Sequence, residues 1–325
     1  MRSRQPARTA ALLWSGLLVL IAWSAPVSAH PWGGLVVDDQ GNIYFTFTCP
    51  MQGDGHVACV YRIDRGTSTP QPVLVASSDP SDLVLARSPS RVIYAAERSG
   101  SRPYRTRLWR LSRDDDPTEV IPFAPEQRFA ADPYAVADDG QVFFARDGAI
   151  IAYNNAELTD AIAGSLKSSG VVVGPRSTRL LVVRDDSRLV AVIDDTLMLI
   201  EIGKLADRIS GPLREENPPG LPFEGANILF DLAVQDDRMI FAYYGNRQVI
   251  EIHANGGRHF LLQAEPPWSP HGVDVYDGKV YVLESTTPPP AWQVWRDNIL
   301  VPRIRVVSED GSSEVLYAYS QPEPR

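Results

Sequence analysis

The stretch GLVVDDQGNIYFTF, Gly34 to Phe47, joins an apolar run to a second run rich in aromatic and β-branched residues through an Asp/Gly turn. The pattern recurs near the other end of the chain as GVDVYDGKVYVLE, Gly272 to Glu284. Short runs of this composition around a tight turn are typical of β-hairpins. Two weaker runs of the same kind follow each copy, so the pattern predicts a repeated unit of four antiparallel strands.

Six such units can be laid end to end along the chain. Their first strands are predicted at Gly34–Val37, Asp82–Ala86, Tyr134–Ala137, Val171–Val173, Asp231–Val234 and Gly272–Val275. A four-stranded unit that cannot bury its own two faces is expected to stack against its copies. The sequence therefore predicts an all-β fold, a six-bladed β-propeller of four-stranded antiparallel blades.

Two segments depart from the regular pattern. Residues 156–167 resemble a short helix where blade three needs its outer strand, and the Pro- and Glu-rich segment 204–225 is predicted to be a surface insertion loop. In blade four, Val171–Val173 is followed by Arg179–Arg184 as the predicted second strand. Ser313–Tyr319 provides an outer strand for the last blade, so we expect that blade to be complete within its own segment.

The N-terminal residues are typical of an export signal. Three arginines precede an apolar stretch and a small-residue cleavage site, at Arg2, Arg4, Arg8, Ala10–Trp23 and Val27–Ala29. A membrane anchor is the alternative, and Pro26 with the small residues after it favours cleavage. We therefore expect residues 1–29 to be a signal peptide and residues 30–325 to be a single propeller domain, periplasmic or secreted, with no membrane span after cleavage.

The net charge argues against one class of partner. Cleavage takes the formal charge from −9 to −12, because three of the 31 Lys and Arg residues and none of the 40 acidic residues lie in the signal. Nucleic-acid binding requires a basic face that neutralises phosphates. The expected partner is a small molecule or a protein.

The chain has only two cysteines, Cys49 and Cys59, at the end of one predicted strand and the start of the next. Antiparallel strands joined by a short loop bring such ends together, and an exported protein meets an oxidising compartment. The spacing fits neither a CxxC redox motif nor a zinc site. A structural disulfide is predicted.

The segments WGGLVVDDQGNIYFTF and SPHGVDVYDGKVYVLE, with RIRVVSEDG at Arg303–Gly311, resemble NHL-repeat propellers and the related gluconolactonase/regucalcin-like six-bladed proteins. The resemblance implies one of three activities: a lactonase or esterase with an axial divalent cation, a zinc-dependent lyase, or a binding platform. The chain departs from the first group because blade one has no early acidic residue in a matching position. It departs from the second because it has a single Pro-His-Gly motif, at Pro270–Gly272.

Several residues are expected to converge on one mouth of the propeller channel, because first-strand starts and second-strand ends meet there. The second-strand ends are Phe47, Glu97, Arg146, Arg184, Tyr243 and Glu284, and the strand starts add Asp82, Asp231 and His271. One interpretation is a set of structural salt bridges, with Glu97 and Arg146 on neighbouring blades. The other is a divalent cation (Ca, Zn or Mn) held by Glu97, Asp231, His271 and Glu284, with His271 also able to act in acid–base catalysis.

Two loops add candidate binding residues. Arg98, Arg102 and Tyr104 lie in an Arg- and Tyr-rich loop suited to anions or saccharides, although a solvated basic loop on an acidic protein is the favoured explanation. Trp292 and Trp295 lie in a Pro-rich loop of blade six, where they could stack on a ligand or pack over the blade edge.

Two functional hypotheses follow from these candidates. The first is a ligand- or protein-binding propeller that uses its mouth loops, with Arg146, Arg184 and Tyr243 among the contact residues. The second is a metal-dependent hydrolase or lyase centred on His271. Motifs for serine nucleophiles, P-loops, HExxH zinc sites and dinucleotide binding do not occur in the sequence.

Overall fold

A computed structural model describes residues 34–50, 56–77, 81–99, 105–123, 134–146, 149–154, 157–159, 178–185, 188–193, 196–201, 206–212, 229–253, 257–286 and 301–319. Within these ranges every regular element is a β-strand, and the strands form six four-stranded antiparallel sheets. The same part of the chain contains no helix with the length and apolar character needed to cross a membrane.

The first three sheets follow one another along the chain. Blade one contains β1 (Leu35–Val37), β2 (Ile43–Pro50), β3 (His56–Ile63) and β4 (Gln71–Val75). Blade two contains β5 (Ser81–Arg87), β6 (Ile93–Ser99), β7 (Thr106–Leu111) and β8 (Thr118–Ile121). Blade three contains β9 (Tyr134–Val136), β10 (Val142–Arg146), β11 (Ala149–Asn154) and β12 (Glu157–Thr159).

The remaining sheets repeat this order. Blade four contains β13 (Thr178–Asp185), β14 (Arg188–Ile193), β15 (Thr196–Glu201) and β16 (Ala206–Pro212). Blade five contains β17 (Leu229–Gln235), β18 (Arg238–Tyr243), β19 (Gln248–His253) and β20 (Arg258–Gln263). Blade six contains β21 (Trp268–Tyr276), β22 (Lys279–Thr286), β23 (Pro302–Val307) and β24 (Ser313–Ala318).

The first strands of the six sheets form a closed ring. Each contacts the first strand of the next sheet, and β21 contacts β1 to complete the circle. The strand β24 pairs with β23 of its own sheet, so the last blade is complete within its own segment. This arrangement confirms the six-bladed β-propeller that the hairpin repeats predict.

Blade four differs from the sequence prediction by one strand. Arg179–Arg184, predicted as the second strand, lies in β13, and the contacts of β13 with β9 and β17 make it the first. The outer strand β16, Ala206–Pro212, comes from the segment predicted as an insertion loop, 204–225. The predicted first strand, Val171–Val173, lies outside the described residues. Successive apolar runs of similar length look alike in the sequence. The pattern therefore could not show which run is the first strand of blade four and which is the second.

Blade three departs from its prediction as well. Glu157–Thr159, within the stretch that resembled a helix, forms β12 and pairs with Ala152–Asn154 of β11. The other residues of 156–167 lie outside the described residues.

The turn of the quoted repeat explains its Asp and Gly residues. In blade one the Asp38 carboxylate accepts hydrogen bonds from the backbone N–H groups of Gln40 and Asn42, and Gly41 adopts a φ of 85°. In blade six, Asp277 and Gly278 have φ values of 51° and 74°. Both turns need left-handed backbone, which Gly and Asp adopt more readily than other residues.

Hydrophobic clusters fill the spaces between neighbouring blades. Along β22, Val282 packs in the cluster shared with blade five, whereas Leu283 packs in the cluster shared with blade one. Adjacent side chains of a strand point to opposite faces, and in this fold both faces are covered. Charged side chains in the middle of these strands, such as Glu97, Asp274 and Glu284, are therefore buried between blades.

The predicted disulfide is confirmed. Cys49 of β2 and Cys59 of β3 are bonded with their Cα atoms 5.7 Å apart. In the strand register, Cys49 lies opposite Val57, and Phe47 lies opposite Cys59. The bond joins the two strands at the base of the loop between them.

Candidate functional site

A buried ion-pair network spans the axis where the first strands end. Asp274 of blade six accepts hydrogen bonds from the Arg87 side chain of blade two, with Nε 2.8 and 2.9 Å from the two carboxylate oxygens. Arg91 Nη1 lies 3.6 Å from Asp274 Oδ2. The backbone N–H of Val37, in blade one, donates to the same carboxylate at 2.7 Å.

The two guanidinium groups also bind carbonyl oxygens of other first strands. Arg87 Nη2 donates to Val234 in blade five at 3.0 Å, and Arg91 donates to Val37 at 3.0 Å and to Val275. Residues of blades one, two, five and six are thus joined across the axis. We call this the bridged end of the channel.

A second aspartate lies nearer the opposite end. Asp231 Oδ2 accepts the N–H of Val273 in blade six, Oδ1 accepts the N–H of Leu232, each at 2.9 Å, and the N–H of Leu35 in blade one also donates to this carboxyl group. Val37, the partner of Asp274, lies two residues beyond Leu35, so the two carboxyl groups occupy successive levels of the channel, about 7 Å apart along the strand. We call the end where the first strands begin, at Gly34, Phe230 and His271, the upper mouth.

Two β-bulges shape the upper mouth. Phe230 is the extra residue between Leu229 and Asp231 in β17, and His271 is the extra residue between Pro270 and Gly272 in β21. Bulges break the alternation of side chains and often re-aim them near functional sites.

An aromatic pair lies beside the first of these bulges. The Phe230 ring packs against Tyr244, which follows β18, with ring centroids 4.8 Å apart, and both side chains stay partly exposed. Burial raises the pKa of Tyr244 to about 12, and a hydrogen bond from Ser285 of blade six acts in the opposite direction.

His271 is buried at the upper mouth, with 7% of its surface exposed. Burial lowers the pKa of its imidazole to about 4, so the ring is neutral at physiological pH. The following residue must be glycine, because a Cβ atom at Gly272 would lie 2.8 Å from the backbone nitrogen of Leu35. A neutral imidazole can donate one hydrogen bond to a ligand through its N–H and accept another at its second nitrogen.

The two buried glutamates of the predicted cation site form ion pairs within their own blades. Glu97 accepts hydrogen bonds from Arg107 Nε at 2.8 Å and from the backbone and hydroxyl of Ser77 at 2.7 and 2.6 Å. Glu284 accepts from Arg303 Nε at 2.6 Å and Arg305 Nε at 3.1 Å. Each pair joins register partners of the second and third strands, so blades two and six repeat one arrangement.

Aromatic rings cover the arginines of both pairs. Arg107 lies 4.5 Å from the ring of Trp109, and Arg303 lies 4.0 Å from the ring of Trp268. Stacked, bidentate guanidinium groups of this kind are structural elements in a blade interface. The salt-bridge interpretation of Glu97 therefore fits the structure, with Arg107 as its partner among the described side chains.

The structure does not bring the four predicted cation ligands together. Glu97 and Glu284 are occupied by arginines, whereas Asp231 and His271 lie on the first strands of blades five and six. Among the described residues no group of three or more His, Cys, Asp or Glu side chains could hold a metal ion. The described residues thus do not fit the axial cation that the gluconolactonase-like resemblance implies.

The other predicted residues have varied positions. Asp82 and Arg98 are register partners joined by an ion pair of 2.6 Å, and Tyr243 is 2% exposed within the hydrophobic cluster between blades four and five. Tyr243 therefore does not face the channel, because it shares a blade face with Phe241. Arg146 ends β10 and Arg184 lies in β13. Arg102, Tyr104, Trp292 and Trp295 lie outside the described residues.

Sequence reasoning missed Asp274, Arg87, Arg91 and Tyr244. Asp274 had a visible signal, since it is an acidic residue inside the apolar first strand of the quoted repeat. Arg87 and Arg91 flank the turn of blade two, and the sequence has no signal that they reach Asp274 of blade six. Tyr244 is one position beyond the predicted Tyr243, because the bulge at Phe230 shifts the register of β17 and β18.

Comparison with known proteins supports the fold alone. No family model and no curated protein matches the sequence. A chain of the nidogen/laminin complex is similar in structure, with a TM-score of 0.53 at 13% identity over 85% of this chain and 94% of that one. A protein of unknown function from Bacteroides thetaiotaomicron has a TM-score of 0.51 at 10% identity over 79% and 68%.

Virginiamycin B lyase from Staphylococcus aureus, solved as a catalytically inactive variant with quinupristin, has a TM-score of 0.46 at 13% identity over 77% and 90%. The two similarities with TM-scores above 0.5 support the fold and nothing more specific.

Proposed function

We propose that the protein is an exported β-propeller that binds a small molecule, or an exposed group of another protein, at its upper mouth. One observation carries this proposal: the channel is bridged at one end by Arg87 and Asp274, while the other end keeps partly exposed aromatic and carboxyl groups. A concave site with aromatic walls and a few convergent polar groups is the usual form of a ligand site.

The two loops that the sequence analysis selected for recognition come directly after second strands. They follow β6 and β22, the second strands of blades two and six, and Tyr244 follows the second strand of blade five. Because neighbouring strands are antiparallel, every second strand ends beside the start of a first strand. The described ends of β6 and β22 therefore lie on the same side of the ring as Phe230 and His271.

Binding is favoured over the alternative, a metal-dependent hydrolase or lyase, by the state of the buried acids. A cation site needs several ligands that are not already neutralised, and Arg107 and Arg303 neutralise Glu97 and Glu284. Elemental analysis of the purified mature protein and of His271→Ala tests this choice. Stoichiometric metal that disappears in His271→Ala, together with hydrolysis of lactones or esters, would establish the enzyme instead.

Export and family membership belong to the same proposal. The disulfide between Cys49 and Cys59 suits an oxidising compartment, which supports cleavage after residue 29 and a periplasmic or secreted location. The two quoted repeats support a place among the NHL and gluconolactonase-like propellers. The intact mass of protein recovered from the exported fraction tests the cleavage site, and a mass that includes residues 1–29 would contradict it.

The binding proposal is tested by calorimetric titration with a panel of amines, sugars, carboxylates and short peptides. A ligand of the upper mouth should bind at least about tenfold more weakly to Phe230→Ala, because the variant removes half of the aromatic pair. Phe260→Ala is the matched control, since Phe260 is 59% exposed on the outer strand of the same blade. Ligands whose affinity responds equally to both variants, or to neither, would place the site elsewhere.

A further inference from the structure

We propose that the carboxylate of Asp231 binds the ammonium group of a protonated amine, so that the ligand of the upper mouth is an organic cation. This inference rests on the proposed binding function and specifies the chemistry of its ligand.

The first argument is the hydrogen bonding of the carboxyl group. Three backbone N–H groups, those of Leu232, Val273 and Leu35, donate to Asp231 and fix its orientation. An ionised carboxylate offers about four acceptor positions. One position is left for a donor that the described residues do not supply.

The second argument is charge. Asp274 has two arginines, with Arg87 at 2.8 Å and Arg91 at 3.6 Å, whereas no Lys, Arg or His of the described residues forms an ion pair with Asp231. Burial raises the pKa of Asp231 to about 7, and the neighbouring Asp274 carboxylate acts in the same direction. A carboxylate in this environment is stabilised by any cation that approaches it. The negative charge of Asp274 is therefore neutralised by two arginines, whereas the negative charge of Asp231 can be neutralised by a cationic ligand.

The third argument is access. Asp231 remains partly exposed, and Gly34 covers it on the side of blade one. A Cβ atom at Gly34 would lie 3.1 Å from Asp231 Oδ2, so the glycine keeps a side chain away from the carboxyl group. The next residue toward the mouth is Phe230, paired with Tyr244. Aromatic faces attract organic cations, and a protonated amine also has the N–H that Asp231 can accept.

Calorimetric titration tests the inference with primary amines, from methylamine to putrescine and benzylamine, and with the corresponding alcohols as neutral probes. The amines should bind at pH 8 and the alcohols at least about tenfold more weakly. Asp231→Asn should weaken amine binding at least about tenfold. Asp236→Asn is the matched control, because Asp236 is an exposed residue in the turn after the same strand and should leave the affinity unchanged.

A second measurement does not depend on how well Asp231→Asn folds. A carboxyl group with a pKa of about 7 is about half protonated at pH 7, so amine binding to the wild-type protein should release about half a proton. Titrations in buffers of different ionisation enthalpy measure this release. Amine binding without proton release at any pH between 6 and 8 would overturn the assignment to Asp231.

The outcomes separate the inference from the function on which it rests. Equal affinities for amines and alcohols, or amine affinities that Asp231→Asn leaves intact, overturn the inference. Stoichiometric binding of Ca²⁺ or Zn²⁺ that is lost in Asp231→Asn would make Asp231 a metal ligand instead. If Phe230→Ala weakens the binding of a neutral or anionic ligand, the proposed binding function stands and the amine inference fails. If no compound of the panel binds in a way that depends on the upper mouth, both the binding function and the amine inference are rejected.

Discussion

Arg87 of blade two and Asp274 of blade six are joined across blade one, with Arg87 Nε within 2.9 Å of both carboxylate oxygens. The pair has side chains that are 9% and 2% exposed. The innermost strand of a propeller blade has one edge whose backbone N–H groups have no neighbouring strand to bind. In blade one, Asp274 accepts a hydrogen bond from one of them, the N–H of Val37. Asp274 therefore connects blade six to blade two through Arg87 and to blade one through a backbone hydrogen bond.

Replacing this arginine should destabilise the fold markedly. Arg87→Ala leaves Asp274 buried with only the more distant Arg91, and breaking one side of a buried pair costs about 3 kcal/mol or more. Urea unfolding of the mature protein measures the loss. Arg65→Ala is the matched control, because Arg65 and Asp277 are 4.0 Å apart and 64% and 73% exposed, and such a contact contributes about 0.5 kcal/mol. Equal costs for the two variants would show that the bridge is not structural.

The paired glutamates should behave as structural groups. Glu97→Gln leaves Arg107 with only the more exposed Glu119, 3.4 Å away, and Glu284→Gln leaves Arg303 and Arg305 without their shared carboxylate. Each should lower the free energy of unfolding by about 3 kcal/mol. The double variant should show the sum, because the two pairs lie on separate blades and share no residue. Urea unfolding gives the energies, and Glu314→Gln on the exposed side of β24 provides the control.

The same variants distinguish the salt-bridge interpretation from the cation site. We expect the metal content of Glu284→Gln, measured by elemental analysis, to equal that of the wild-type protein. Loss of a bound metal in Glu284→Gln without loss of stability would favour the cation site.

Much of the fold could be predicted from local patterns. The Asp/Gly turns at Asp38–Gly41 and Asp277–Gly278 mark hairpins because the left-handed backbone restricts residue choice. Cys49 and Cys59 could be paired because the loop between their strands is short. The strands of blade four could not be assigned to their positions in the sheet, because an apolar run predicts a strand but not the strands beside it.

The candidate site was less accessible to sequence reasoning for a geometric reason. The alignment of the second strands predicted Glu97 and Glu284 at equivalent strand ends, and both lie two residues before the end of their strands, each opposite a third-strand arginine. A position along a strand does not reveal which blade face the side chain occupies. Both side chains lie in blade interfaces, where Arg107 and Arg303 meet them. The bulge at Phe230 is a property of pairing between β17 and β18, so no single-strand pattern could reveal it.

The disulfide should stabilise the protein by restricting the unfolded chain. It closes a loop between residues separated by 10 positions, which corresponds to about 3 kcal/mol in the chain-entropy model. Reduction of the wild-type protein should lower the free energy of unfolding, measured with urea, by that amount, and Cys49→Ser/Cys59→Ser should match the reduced protein. The double variant should not respond to reductant. Free thiols in the exported wild-type protein, detected by mass spectrometry without reduction, would contradict the bond.

The two titratable groups of the upper mouth should give the folded protein opposite pH dependences. Burial raises the pKa of Asp231 from its ordinary 3.8 to about 7, so the folded chain holds this proton more tightly, and stability falls as the pH rises from about 4 to 7. Burial lowers the pKa of His271 from 6.5 to about 4. The unfolded chain therefore binds that proton first, and stability falls as the pH drops from about 6.5 to 4.

Single variants should separate these opposed contributions, because each removes one group and leaves the other. Relative to wild type, Asp231→Asn should become more stable as the pH rises from 4 to 8, whereas His271→Gln should become less stable over the same range. At about 1.4 kcal/mol per pKa unit, the differences correspond to about 4 kcal/mol for Asp231→Asn and about 3 kcal/mol for His271→Gln. Urea unfolding at intervals across this range measures both slopes, and His259→Gln, an exposed histidine of β20, should show neither. Parallel slopes for Asp231→Asn and His271→Gln would contradict the burial of one of the two groups.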